Sequence, residues 1–130
     1  MTVDVWVGLF SSHERMEQYL EEIYDDDDST PLSEFAGDMN EFFYDHDFFE
    51  SSFHETITED LSARLQGHSL PPLAVETVAS TFAINPEPFN AILLMWNEEQ
   101  DYSQIEAPVS VQKEGVRLRY LGRFENAGPA

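Results

Sequence analysis

The chain has 130 residues, of which 42% are apolar and 13% aromatic, so it can bury a core of the size that fits a single domain, residues 1–130. A formal net charge of -20 repels nucleic acids and anionic membranes, and the absence of cysteine excludes disulfides and thiolate metal sites. The sequence has neither a secretion signal nor an apolar run near the roughly 20 residues that span a bilayer, which predicts a cytoplasmic protein that binds no membrane.

A strand and two helices are predicted in the first part of the chain. Apolar side chains alternate from Val3 to Val7, which predicts a strand over residues 3–10 with one buried face. Ser11 and Glu14 have the spacing of a capping box, so a helix is expected to begin here. Its apolar stripe is predicted to contain Met16, Tyr19, Leu20 and Ile23. A second helix is predicted from about Ser33 and would bury Phe35, Met39, Phe42 and Phe43.

Two further helices are predicted in the middle of the chain. Thr56 and Glu59 repeat the capping-box spacing before a third helix, which Gly67 is expected to end. Apolar residues between Val75 and Phe82 have the spacing of a fourth helix, and the prolines that flank this segment limit its length.

The last third of the chain predicts strands. The apolar run 89–96 is typical of a strand that is buried on both faces, and residues 109–121 predict a β-hairpin with its turn at Glu114 and Gly115. These elements together predict an α+β fold. We expect a largely antiparallel sheet of about four strands, one N-terminal and three C-terminal, with three or four helices packed on one side.

The negative charge is concentrated in the first half of the chain. Residues 1–60 carry 18 of the 26 acidic residues and only one basic residue, Arg15, so their net charge is -17. Residues 61–130 have a net charge of -3, and four of the six basic residues lie in the last 20 positions. An acidic face of this kind attracts a cationic partner. Adaptation to high salt also produces acidic proteins, but it would spread the acids over the whole surface.

No motif in the sequence predicts catalysis, a cofactor or a bound metal ion. Asp25–Asp28 does not begin a calcium loop of the EF-hand type, because Thr30 and Ala36 occupy the positions of the required glycine and glutamate. The tripeptide 45–47 (Asp-His-Asp) would ligate zinc only if further ligands converged on it. A turn whose carboxylates cap a helix or face a partner is the favoured interpretation of this tripeptide.

A mixture of aromatic and acidic residues between positions 42 and 55 predicts a protein-binding surface. About half of these rings are expected in the core. Exposed rings beside carboxylates that pair with Arg and Lys have the composition of a binding site for a basic protein. The predicted contact residues are Asp25, Asp26, Asp27, Asp28, Tyr44, Asp45, Asp47 and Glu50.

Short motifs in a fixed order extend along nearly the whole chain. They are Trp6-Val7-Gly8, Tyr19-Leu20-Glu21-Glu22, Ser33-Glu34-Phe35, Tyr44-Asp45-His46-Asp47-Phe48, Ile92-Leu93-Leu94 and Tyr120-Leu121-Gly122-Arg123-Phe124. Their order and spacing resemble the immunity 22 family of bacterial polymorphic toxin systems. The resemblance implies a protein encoded beside a secreted toxin, which it binds and blocks in the producing cell. Asp25–Asp28 and His46 look like local departures from the family pattern, so the resemblance assigns them no role.

Charge and resemblance together predict a non-enzymatic immunity protein that occludes a basic toxin, such as a nuclease, with an acidic surface. One alternative with the same acidic face is a nucleic-acid mimic, an inhibitor or adaptor of a host or phage DNA-processing protein. A small enzyme or metal-dependent regulator that uses His46 and nearby carboxylates is a second alternative, and a structural or adaptor domain from a salt-adapted organism is a third.

Overall fold

The computed structural model of the chain describes residues 2–24, 31–41, 44, 46–97 and 105–125. Within these residues the fold is α+β, with one antiparallel sheet of five strands and four α-helices. The strands are β1 (Thr2–Phe10), β2 (Phe49–Thr58), β3 (Phe89–Asn97), β4 (Val111–Lys113) and β5 (Val116–Glu125). The helices are α1 (His13–Leu20), α2 (Glu34–Asp38), α3 (Leu61–Leu65) and α4 (Pro72–Ala83), and one 3-10 turn, His46–Phe48, precedes β2.

The sheet has the strand order β2-β3-β1-β5-β4, so the first strand of the chain lies at its centre. Helices cover both faces, because alternate residues of β1 enter two separate cores. Trp6 and Phe10 pack with α1 and α2, whereas Val3, Val5 and Val7 pack with α3 and α4. The prediction that the helices lie on one side is therefore wrong. A strand such as β3, in which all nine residues are buried, needs a layer on each face.

The prediction of about four strands missed β2, which forms one edge of the sheet. Its sequence, FESSFHETIT, alternates only weakly: one face packs Phe49 and Phe53 and the other carries Glu50 and Ser52, but Ser51, which lies between the two phenylalanines in the alternation, is polar and exposed. Thr56 belongs to this strand and caps no helix. Asp60 is the N-cap of α3, since its Oδ1 accepts a hydrogen bond from the backbone N–H of Ala63 at 3.1 Å.

The predicted helices exist, but three of them begin or end at other residues than predicted. One of these is α3, which begins after Asp60 as described above. The first is capped by Ser12 instead of Ser11, and it ends at Leu20, so that Ile23 is 49% exposed. The second is a short helix with Ser33 as its N-cap; Met39 is buried, while Phe42 and Phe43 lie outside the described residues. Confirmed elements are α4, the doubly buried strand β3 and the β4–β5 hairpin with its turn at Glu114 and Gly115.

Candidate partner-binding surface

All six basic side chains of the protein are bound by its own groups. Arg15 and Lys113 both contact the carboxylate of Glu34, at 2.8 and 2.7 Å, and Lys113 also lies 2.8 Å from Asp38. The other contacts are Arg64 to the carbonyl of Thr56, Arg117 and Arg119 to Glu87, and Arg123 to Asp4. The cations are therefore used to hold the fold together. They do not offset the exposed carboxylates elsewhere on the surface.

Exposed carboxylates gather where α1 lies beside β2. The ring of His13, at the start of α1, stacks on Phe53 of β2 with a centroid distance of 4.8 Å and an interplanar angle of 8°. Glu17 lies one helical turn after His13, and its carboxylate is 3.4 Å from the His13 ring, so it faces the β2 side of α1; Glu21 is the first residue after the helix. We use the name acidic edge for the exposed acids on the β2 side of α1, on β2 and on the segments that flank them: Glu17, Glu21, Asp47, Glu55, Glu59 and Asp60.

The structure describes three of the eight residues predicted to contact a partner. Asp25, Asp26, Asp27, Asp28 and Asp45 lie outside the described residues. Asp47 is exposed and belongs to the acidic edge. Tyr44 and Glu50 have other roles, because both are bonded within the fold.

Tyr44 lies in the core with only 1% of its surface exposed. Its ring packs against Phe35 and Phe49, with centroid distances of 5.8 and 5.3 Å, and its hydroxyl lies 3.3 Å from that of Ser33. Burial raises the pKa of Tyr44 to about 12. The prediction that this ring is offered to a partner is therefore not met in the free protein, since an aromatic side chain gains more from the α2 core than from solvent.

Glu50 is half-buried and accepts three hydrogen bonds. The donors are the indole Nε1 of Trp96 at 2.7 Å, Nδ1 of His68 at 3.1 Å and the backbone N–H of Ser69 at 3.2 Å. Burial alone would raise the pKa of Glu50, but the bonds from Trp96, Ser69 and His68 together lower it. This carboxylate fastens the segment between α3 and α4 to β2 and β3, which is a structural role.

His68 extends this network to a serine. Its Nε2 lies 2.8 Å from the hydroxyl of Ser52, and a carboxylate can only accept, so a neutral imidazole must carry its proton on Nδ1 and accept from Ser52. A serine, a histidine and a carboxylate in this order also occur in hydrolases. However, Ser52 and His68 line none of the four described cavities, which measure about 420, 380, 410 and 350 Å³. We assign the network to fixing β2.

A second buried carboxylate network was missed by the sequence analysis. Asp4 is fully buried in β1 and accepts hydrogen bonds from Tyr120 at 2.6 Å, from Nε and Nη2 of Arg123 at 3.0 Å each, and from Asn97 at 3.0 Å. The signal that could have found it is an aspartate inside an otherwise apolar alternating strand. Such a carboxylate must be paired if the strand is central.

Within the described residues, no three His, Asp or Glu side chains are grouped so that they could hold a metal ion. The side chain of His46 is not among those described. None of the helices in the described parts of the chain is long and apolar enough to cross a membrane.

Comparison with known families shows which family the chain belongs to. Residues 3–126 match the family described as Immunity protein 22. The chain belongs to this family. No curated protein and no solved structure matches it. The resemblance found in the short sequence motifs is therefore confirmed over nearly the whole chain, and membership of the Immunity protein 22 family implies an immunity role in which the chain binds a cognate toxin.

Proposed function

We propose that this protein neutralises a basic toxin domain, most simply a nuclease, by covering it with an acidic surface and without catalysis of its own. The family match across residues 3–126 is the observation that carries the proposal. The finer part rests on charge. Nucleases bind phosphate backbones with basic surfaces, and such a surface is complementary to a protein of net charge -20.

The distribution of ion pairs supports an acidic contact surface. A carboxylate that already pairs with an internal cation contributes little to the field outside the molecule. The carboxylates of the acidic edge are exposed, and that of Glu17 lies 3.4 Å from the ring of His13. The contact surface that we propose combines this edge, which includes Asp47, with the other acids of the predicted set, Asp25, Asp26, Asp27, Asp28 and Asp45. Glu50 would stabilise this surface indirectly, because its hydrogen bonds hold β2 in place.

The proposal is tested by measuring binding to the toxin domain encoded immediately upstream of this protein. We expect a dissociation constant of about 10 nM or tighter, and an association rate that falls steeply between about 50 mM and 500 mM salt as the charges are screened. A nuclease assay with the same toxin should show inhibition at one-to-one stoichiometry. Absence of binding would overturn the immunity proposal, and tight binding that is indifferent to salt would overturn the acidic contact surface.

A further inference from the structure

Among the strands that the structure describes, β2 is a terminal one and has an unpaired edge. Residues Phe49–Phe53 pair with β3 on one side in a regular antiparallel register, from Phe49 opposite Met95 to Phe53 opposite Ala91. On the other side, no strand of the described chain pairs with β2, because it is the terminal strand of the sheet. Alternate residues of such a strand direct their N–H and C=O groups outward, where they are able to pair with another chain.

This edge is held in place from both faces of the sheet. On one face Phe53 stacks on His13 of α1. On the other, Ser52 and Glu50 bond to the two ring nitrogens of His68. A strand fixed in this way loses little conformational entropy when a partner adds to it, so the edge is preorganised for binding.

The edge lacks two features that often prevent strand addition, since its ten residues contain no lysine and no proline. Its register with β3 is regular from Phe49 to Phe53 and becomes irregular only beyond Phe53, so the inference is confined to residues 49–53. The opposite edge, β4, has three residues and carries Lys113. The charge near the β2 edge is negative, with Asp47 and Glu55 on the strand side, Glu17 on α1 and Glu21 directly after it. Two copies of this edge repel each other, whereas a basic strand is attracted.

We propose that the outer edge of Phe49–Phe53 accepts an extended segment of the toxin domain, rich in Lys or Arg, as a sixth strand of the sheet. This inference rests on the proposed function and adds the mode of contact. Backbone hydrogen bonds would supply the pairing, and the basic side chains of the incoming strand would meet the acidic edge.

Amide hydrogen exchange tests the pairing directly, with the upstream-encoded toxin domain as the probe. Among residues 49–53, the amides that face β3 should exchange slowly with or without toxin, while the outward amides should exchange fast alone and at least about tenfold more slowly in the complex. Tight binding that leaves these outward amides unprotected would overturn the sixth strand and leave the proposed function intact. Protection that appears without toxin and rises with protein concentration would show pairing between copies, and it would overturn the inference too.

Two matched variants separate the edge from general charge effects. Ser51→Lys and Gln112→Lys add the same charge to an exposed position, the first on β2 and the second on β4. We expect Ser51→Lys to weaken toxin binding about tenfold and Gln112→Lys to change it less than about twofold. Equal effects of the two variants would overturn the inference. If the unmodified protein binds no toxin at all, the proposed function fails and the sixth strand fails with it.

Discussion

The two sides of the sheet stabilise a buried carboxylate in different ways. On the β5 side, Asp4 is bound by a permanent cation, Arg123, together with Tyr120 and Asn97. On the β2 side, Glu50 is bound by an indole, a histidine and a backbone amide. Four of the six basic residues lie on β4 and β5, whereas β2 carries none. The comparison shows that permanent cations hold the fold on the first side, while uncharged donors and a histidine hold it on the second.

The largest effect is expected from Asp4→Ala, which removes the centre of the β5-side network. Tyr120 and Asn97 lose their acceptor in a buried position, and Arg123 loses its ion pair, so the free energy of unfolding should fall by about 3 kcal/mol. Urea unfolding monitored by circular dichroism measures this change. Asp4→Asn, which keeps the size and one acceptor, is the matched control and should lose less. A loss below about 1 kcal/mol in Asp4→Ala would show that this side is not held by its charges.

Glu50→Ala tests the β2 side in the same assay. Three donors lose their acceptor, but the site is half-buried and none of the donors is a permanent cation, so we expect a loss of about 2 kcal/mol. Glu50→Gln should lose about half as much, because its amide oxygen still accepts. If Glu50→Ala is as stable as the unmodified protein yet loses toxin binding, then Glu50 is a direct contact, as the sequence analysis predicted.

The pH dependence of stability tests the cation-rich side, where Glu34 joins Arg15 and Lys113. Hydrogen bonds from Arg15 and Lys113 outweigh the effect of burial and lower the pKa of Glu34 from 4.5 to about 2. Its contribution to stability is complete above about pH 4.5 and is lost as the pH falls towards 2. Exposure of the pair limits this contribution to about 1 kcal/mol. Thermal melts between pH 6 and pH 2.5 should therefore show a smaller loss of stability in Glu34→Gln than in the unmodified protein. If both proteins lose the same stability as the pH falls, the low pKa of Glu34 does not contribute to the stability of the fold.

The smallest effect is expected for a single carboxylate of the acidic edge. Glu17→Gln should lower the association rate with the toxin domain by about twofold at low salt, because it removes one charge from the field that attracts a basic partner. Glu76→Gln removes an exposed charge from α4, on the opposite face of the sheet, and should leave the rate unchanged. Stopped-flow measurements of both variants decide whether the electrostatic attraction of the toxin domain is localised at the acidic edge. Equal slowing by both variants would indicate that only the net charge of the protein determines the association rate.

Much of the fold could be predicted from short-range pattern. The doubly buried β3, the helix α4 and the β4–β5 hairpin all follow from residues within about ten positions of each other, because alternation, helical spacing and turn residues act locally. The edge strand β2 was missed because its side chains pack against three different elements, so no local period appears. Of the predicted contact set, Tyr44 is buried in the core against Phe35 and Phe49, and this was missed because no pattern in the sequence indicates that these three rings meet.

The sequence by itself determined the family, the α+β class and an acidic first half, because motif order, hydrophobic period and composition are properties of the chain alone. Only the tertiary structure decided which carboxylates are buried and which face solvent. Glu50 meets Trp96 across 46 positions, and Asp4 meets Tyr120 across 116. Pairings over such separations depend on how the strands are ordered in the sheet, which no local pattern in the sequence determines.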